Sequence, residues 1–253
     1  MQTWIFIRGL TRSSSHWGDF IAEFERALPA RVIALDLPGN GSLCGQSSPT
    51  SVAEMAEACR AQWLSRGEGG PVHVLALSLG AMVATQWANQ WPGEVQRLVL
   101  VSTSMRPLNP FWQRMKPGAL AALLWSMAGN GNGAIKLEQT ILRLTANHPR
   151  YEVLMDWCVE RARNPVSARN ALRQLLAAAR YLVPDKPPVA RTLVLAGEMD
   201  RMVSVECTRA LMQHWGCEGA LHPTAGHDLT LDDGPWVIDQ MMRWMQHVSV
   251  NDT

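Results

Sequence analysis

Short apolar runs alternate with helical patterns toward both ends of the chain, and this alternation constrains the fold more than any other feature. The runs are continuous rather than alternating in polarity, which is typical of strands buried on both faces of a parallel sheet. The predicted strands are Thr3–Ile7, Arg31–Leu35, Val72–Leu77, Arg97–Val101 and Thr192–Ala196.

Helical patterns lie between these strands. Ser51 is a plausible N-cap of its helix, with Glu54 three residues later in a capping-box pattern. Alternating strands and helices predict an α/β fold with a doubly wound, mostly parallel sheet. The predicted helices are Ser15–Ala27, Ser51–Leu64, Leu79–Gln90, Val205–His214 and Pro235–His247.

The middle of the chain breaks this rhythm. Residues 105–188 contain no convincing strand, so we predict a helical cap here, inserted into a core formed by residues 1–104 and 189–253. The segment carries twelve basic and five acidic residues, a net charge of +7 in a chain whose total is +1. Its predicted helices are Leu120–Met127, Leu137–Leu144, Val153–Ala162 and Ala168–Leu182.

Composition narrows the class of protein. The chain has 253 residues, of which 47% are hydrophobic, enough for one sizeable core. The net charge of the chain is close to zero, so it gives no indication of nucleic-acid binding. Five scattered cysteines without a Cys-x-x-Cys pair indicate neither a disulfide framework nor a zinc site. We expect no metal and no cofactor. No apolar stretch is long enough to span a bilayer, so we expect no membrane segment. No signal peptide is apparent, so we expect a cytoplasmic location.

The strongest local motif surrounds Ser78. The sequence from Leu75 to Gly80 fits the strand–Gly-x-Ser-x-Gly–helix pattern that presents a nucleophilic serine on a sharp turn, with Ala76 in place of the first glycine. The pattern alone is common, but here an apolar strand precedes it and a helix follows. The alternative is a buried serine in a tight strand–helix turn.

A serine nucleophile needs a general base and a carboxylate that orients the base. His227 is the best-placed base, in a glycine-bearing loop before the last helix; His222 is the main rival, but it lies where the last strand should still run. Asp200 follows a strand directly and is the candidate acid, with Glu198 as rival. The alternative for Asp200 is a solvated turn residue.

An oxyanion needs two backbone donors. The N–H of Leu79, directly after the nucleophile, is one candidate. The loop after the first strand supplies the other, most simply the N–H of Leu10, and Gly9 lets this loop come close to the substrate.

These motifs together resemble the α/β-hydrolase superfamily, in the expected order over nearly the whole chain. The resemblance implies the predicted sheet with a helical cap and a Ser78–Asp200–His227 catalytic triad. One departure stands out: members usually have His-Gly before the oxyanion residue, and here Arg8 precedes Gly9, so Arg8 is expected to alter the loop or to meet an anionic group. The matching segments are Gly9-Leu10, Asp36–Ser42, Ala76–Gly80, Gly197–Asp200 and Gly226-His227.

Within the superfamily the chain is most similar to small capped carboxylesterases, among them those that cleave pimeloyl-carrier-protein methyl esters. This implies hydrolysis of a carboxylic ester, a small-molecule ester or one held by an acidic acyl-carrier protein at the basic cap; Arg161, Arg163 and Arg169 would then contact the carrier. A solvated arginine-rich surface is the alternative. A lactonase, a thioesterase or a carbon–carbon bond hydrolase would use the same triad, and a non-catalytic binding protein the same fold.

Overall fold

The strands form one parallel sheet. A computed structural model describes residues 1–67, 69–127, 133–148, 152–189 and 191–248; Arg150, counted above among the basic residues, and residues 249–253 of the predicted core lie outside them. Within this part of the chain, six strands pair in the order β2-β1-β3-β4-β5-β6, all parallel. They are β1 (Gln2–Ile7), β2 (Ala30–Leu35), β3 (Val72–Leu77), β4 (Val95–Val101), β5 (Thr192–Gly197) and β6 (Glu218–His222).

The predicted strands are confirmed to within two residues at each end. Every residue of β3 and β5 is buried, as expected of continuous apolar runs at the centre of a parallel sheet. Edge strands β2 and β6 are partly exposed, which explains why β6 lacks a strong apolar pattern. His222 is the last residue of β6, so it does lie at the end of a strand.

Helices cover both faces of the sheet. One face packs against apolar side chains of α2, α3 and α9, and the other against those of α1 and α10, which is the doubly wound arrangement predicted. The Ser51 hydroxyl caps α2 by accepting from the Ala53 N–H at 3.2 Å. These helices are α1 (Phe20–Ala27), α2 (Val52–Leu64), α3 (Leu79–Gln90), α9 (Val205–Trp215) and α10 (Leu229–Val248).

Two of the helix starts predicted in the core were wrong, and the insertion helices predicted from Leu120 and Leu137 start earlier, at Pro117 and Gly133. The helix predicted from Ser15 is a short 3-10 turn, Ser14–Trp17, followed by Gly18 at φ 51°, after which α1 begins. The helix predicted from Pro235 starts one and a half turns earlier, at Leu229, and is kinked at Asp233 (φ −153°, ψ 74°). Proline is tolerated in the first turn of a helix, so Pro235 marks the second segment, after the kink, rather than the start of α10.

The described residues between β4 and β5 form helices and no strand. Apolar side chains of this insertion pack onto the loop after β5 at Met202 and Val203, and onto Leu231 of α10. The insertion therefore sits over the carboxyl edge of the sheet. Its helices are α4 (Phe111–Arg114), α5 (Pro117–Met127), α6 (Gly133–Thr145), α7 (Glu152–Arg163) and α8 (Ala168–Arg180).

The start of α3 lies in direct contact with the end of β1, and this contact requires a glycine. A Cβ at Gly80 would lie 2.4 Å from the Ile7 carbonyl oxygen and 2.5 Å from that of Arg8. Backbone atoms cannot yield as a flexible side chain can. Glycine at this position thus allows α3 to start directly beneath β1.

We predict that Gly80→Ala destabilises the fold. Overpacking typically costs about 1–3 kcal/mol, so the midpoint of urea unfolding should fall clearly below that of the wild type. Gly45→Ala is the matched control, because nothing lies within 4 Å of the added Cβ and the Gly45 φ is not positive. Equal midpoints for Gly80→Ala and Gly45→Ala would contradict the assigned contact.

Candidate active site

Ser78 occupies a strained turn between β3 and α3. Its φ of 57° and ψ of −118° lie in a region that residues other than glycine rarely adopt. The turn is held by the Ser78 N–H, which donates to the Val101 carbonyl at 2.8 Å, and by the Thr103 hydroxyl, which donates to the Ser78 carbonyl at 3.0 Å. Thr103 has no motif of its own and was not predicted. The geometry is that of a serine presented outward at the carboxyl end of a central strand.

Asp200 lies in the turn after β5, with its two carboxylate oxygens in separate contacts. Oδ1 accepts from the N–H groups of Met202 at 2.7 Å and Val203 at 2.9 Å. Oδ2 lies 2.7 Å from Nδ1 of His227. Lys116 Nζ donates to the Asp200 carbonyl at 2.5 Å and ties the insertion to this turn. The two backbone N–H groups therefore fix the orientation of the carboxylate independently of its contact with the imidazole.

The pairing of Asp200 with His227 is buried: the residues are 3% and 4% exposed. A carboxylate bonded to Nδ1 directs Nε2 outward and stabilises an imidazolium, which is the role of the acid in a serine triad. The rivals lie elsewhere. His222 accepts from the Thr224 and Ala225 N–H groups, and Glu198 pairs with exposed Arg209, so both have structural partners of their own.

Ser78 and His227 line the same cavity, together with the oxyanion candidates Leu10 and Leu79. No hydrogen bond joins Ser78 to His227 in the part of the chain that the structure describes; such bonds often tighten only when substrate binds. Leu79 is the first residue of α3, so its N–H has no carbonyl one turn earlier to bond. A Cβ at Gly9 would lie 3.0 Å from Ser78 Cβ, so Gly9 lets the loop approach the serine itself.

The cavity has a volume of about 420 Å³ and a mostly apolar wall. The sheet edge forms its floor, and the insertion supplies most of the wall. A site of this size with a few polar groups at one end is typical of small-molecule binding. The apolar wall residues of the insertion are Phe111, Met115, Leu120, Leu123, Leu124, Ile141, Leu172, Leu175, Leu176, Ala178 and Ala179.

Arg8 contacts an anionic group, which is one of the two outcomes expected from the sequence. It is 3% exposed, and its guanidinium pairs with both carboxylate oxygens of Asp228, the residue after His227. It also lies over the Trp17 ring, 4.8 Å from the centroid. The pair joins the loop that carries Leu10 to the loop that carries His227.

Asp228 was missed from the sequence, although its place next to His227 was a signal. Burial alone raises the pKa of its carboxyl, but the charge and hydrogen bonds of Arg8, with the Thr230 hydroxyl, more than offset this and hold the pKa below its ordinary value. Asp228 is therefore ionised at neutral pH, and the buried pair is neutral overall.

The described residues offer neither a metal site nor a membrane-spanning helix. Nowhere among them do three or more His, Cys, Asp or Glu side chains form a group that could hold a metal ion. None of their helices has both the length and the apolar character needed to cross a membrane.

The fold and the motifs along the carboxyl edge of the sheet define a hydrolase. Residues 4–240 match the model of the alpha/beta hydrolase family, and the chain belongs to that family. Its six-stranded parallel sheet with flanking helices agrees with that of solved members.

Particular relatives are esterases and lipases. The chain is 28% identical over 200 residues to a pimeloyl-[acyl-carrier protein] methyl ester esterase of Aeromonas hydrophila, covering 74% of this chain and 75% of the relative. A putative lipase from Acinetobacter baumannii superposes with a TM-score of 0.79 at 26% identity, over 99% of this chain and 85% of the other. An esterase from Thermogutta terrifontis, 20% identical, shares the fold with a TM-score of 0.73, over 98% and 90% of the two chains.

We predict that Arg8→Met destabilises the protein strongly at pH 7. Removing one partner of a buried ion pair leaves the other charge uncompensated, which typically costs about 3–5 kcal/mol. Because the pKa of Asp228 is held below its ordinary value, the stabilisation is present above about pH 4 and is lost as pH falls through the folded-state pKa. Urea unfolding should therefore show the wild type well above Arg8→Met in stability at pH 7, and the two should converge most clearly as the pH falls below about 4.

The double variant Arg8→Met/Asp228→Asn tests the assignment to the pair, because it should be less destabilised than the sum of the two single variants. Arg209→Met is the control, since Arg209 forms exposed ion pairs with Glu198 and Glu206, and it should lose little stability. Strict additivity, or no change with pH, would contradict a buried charge pair.

Proposed function

We propose that this protein hydrolyses a carboxylic ester with Ser78 as nucleophile, His227 as general base and Asp200 as the residue that orients His227. The buried 2.7 Å contact between Asp200 Oδ2 and His227 Nδ1, with His227 in the wall of the cavity that Ser78 also lines, is the observation that carries the proposal. The esterase among the relatives supports an ester, rather than a lactone, thioester or carbon–carbon bond, as the group cleaved.

The proposed reaction proceeds through an acyl-enzyme. Nε2 of His227 takes the proton of the Ser78 hydroxyl as Oγ attacks the ester carbonyl, and the N–H groups of Leu79 and Leu10 stabilise the resulting oxyanion. The tetrahedral intermediate collapses, and the imidazolium returns its proton to the departing alkoxide, which leaves as alcohol. Water, deprotonated by His227, then attacks the acyl-enzyme, and the carboxylic acid is released as Ser78 regains its proton.

The predicted division into a core (residues 1–104 and 189–253) and a cap (residues 105–188) suits this function. Helices α4, α5 and α8 supply most of the apolar wall above Ser78. In the proposed arrangement they hold the acyl chain and exclude water from the oxyanion, which strengthens the backbone hydrogen bonds to it.

We predict that Ser78→Ala abolishes hydrolysis of p-nitrophenyl esters. The wild type should cleave members of a series from acetate to palmitate, with an optimum set by the cavity, whereas Ser78→Ala should lose at least about a thousandfold in kcat because no nucleophile remains. A fluorophosphonate should add covalently to the wild type at Ser78, as read by peptide mass spectrometry.

Ser65→Ala is the matched control, because Ser65 is an exposed serine at the end of α2 and does not line the cavity. It should hydrolyse the series and react with the fluorophosphonate like the wild type. Turnover that survives Ser78→Ala, or labelling at another serine, would show that the nucleophile is misassigned.

We further propose that the basic insertion can hold an acidic acyl-carrier protein, since the Aeromonas hydrophila relative acts on an ester of that kind. Of the three arginines singled out in the sequence, Arg163 and Arg169 are exposed. Arg161 instead pairs with buried Glu138, which Arg12 also contacts. The proposed carrier surface therefore keeps Arg163 and Arg169 and leaves out Arg161.

The charge-reversed double variant Arg163→Glu/Arg169→Glu tests the carrier surface. It should raise KM for a carrier-bound methyl ester and leave p-nitrophenyl acetate hydrolysis as in the wild type, because only the first substrate touches the surface. Arg31→Glu/Arg66→Glu applies the same charge change to the core. Equal loss on both substrates, or the same loss in the core variant, would contradict docking at α7 and α8.

A further inference from the structure

Three arginines line the mostly apolar cavity: Arg8, Arg12 and Arg114. Arg8 pairs with Asp228, and Arg12 lies 2.7 Å from Glu138. Arg114 has no carboxylate within ion-pair distance among the described residues. It is the exception in a wall where buried cations otherwise have acidic partners.

Arg114 is the last residue of α4 and is only 8% exposed. Its guanidinium donates to the carbonyls of Ala178 at 2.7 Å and Ala179 at 3.3 Å, in the last turn of α8. Its Nε is buried and has no hydrogen-bond partner in the described part of the chain. Burial lowers the pKa of the guanidinium; nearby Cys207 opposes this and Arg106 adds to it, and no carboxylate contributes.

The carbonyls of α8 do not complete this site. A helix C-terminus offers about half of a negative charge, so part of the positive charge stays uncompensated. A buried charge is stable in an apolar surrounding when an opposite charge and hydrogen-bond partners meet it. A carboxylate suits a guanidinium particularly well, because its two oxygens match the planar fork of donors.

Residues 103 and 104 connect the backbone of Arg114 to the turn that carries the proposed nucleophile. The Ser104 hydroxyl donates to the Arg114 carbonyl at 3.5 Å, and neighbouring Thr103 donates to the Ser78 carbonyl. Ser78, Ser104 and Arg114 all line the cavity. A substrate with an ester at one end and an anion at the other can thus contact both sites within one cavity.

We propose that Arg114 binds a carboxylate of the substrate, so that among small-molecule esters the preferred substrates are half-esters of dicarboxylic acids. This inference rests on the proposed ester hydrolysis and adds the substrate class. Ser78 attacks the ester carbonyl while the free carboxylate completes the coordination of Arg114, and the apolar wall covers the methylene chain between them.

The test compares monomethyl and dimethyl esters of dicarboxylic acids from succinate to sebacate, which differ only in the second carboxyl group. For at least one chain length, the wild type should show a kcat/KM at least about tenfold higher for the half-ester, as expected for a hydrogen-bonded charged pair. In Arg114→Gln that ratio should fall to about one, whereas Arg114→Lys should retain part of it.

Arg180→Gln is the control, because Arg180 is an exposed residue of α8 that does not line the cavity, and it should keep the wild-type ratio. A wild-type ratio near one at every length, or a ratio that persists in Arg114→Gln, would overturn the inference. If Arg114→Gln does not fold by circular dichroism, inhibition of the wild type decides: half-amides of dicarboxylic acids, which keep one free carboxylate, should inhibit at least about tenfold more strongly than the diamides of equal length, and equal inhibition overturns it.

A binding measurement separates this inference from the proposed function. If the wild type cleaves no ester, ester hydrolysis is wrong, but calorimetric titration of Ser78→Ala with a half-ester and with its dimethyl counterpart still tests Arg114. Tighter binding of the half-ester supports the carboxylate site, and equal binding contradicts it.

Discussion

All strands of the sheet run in the same direction, and the arrangement of the candidate site depends on this constraint. Loops that follow parallel strands open at one edge, so the segments after β1, β3, β5 and β6 meet there although they are far apart in sequence. Ser78, Asp200 and His227 each follow a different strand. Burial of the central strands on both faces holds this edge rigidly, and a strained turn such as that at Ser78 can persist only where its surroundings are rigid.

Features coded locally could be predicted from the sequence. Apolar runs bounded by turns predict β3 and α3 to the residue, because burial and period are local properties. The candidate triad follows in the same way, since Ser78, Asp200 and His227 each come with a short motif and a place after a strand. Helix starts were less predictable: only the backbone shows that Gly18 interrupts the first helical pattern and that α10 bends at Asp233.

Partnerships between distant residues could not be predicted. Arg8 and Asp228 are 220 positions apart, and neither residue type indicates which opposite charge it will meet in the core. The sequence likewise suggests that Arg161 is a surface cation, whereas in the folded protein it pairs with Glu138. The buried charges around the apolar cavity are thus compensated by partners that only the folded molecule brings together, and no sequence motif identifies these partners. Arg114 is notable because its compensation is incomplete.

The last turn of α6 supports the loops of the candidate site from above. The Thr145 carbonyl accepts from the Asp228 N–H at 2.8 Å and lies so close to Gly226 that a Cβ there would be 2.7 Å away. Asn147, just beyond the helix, donates its side-chain amide to the carbonyls of Met199 and Thr224. The insertion is consequently not an interchangeable module: grafting the corresponding segment of another member of the family would also remove the contacts that hold the loop of His227, unless this last turn is retained.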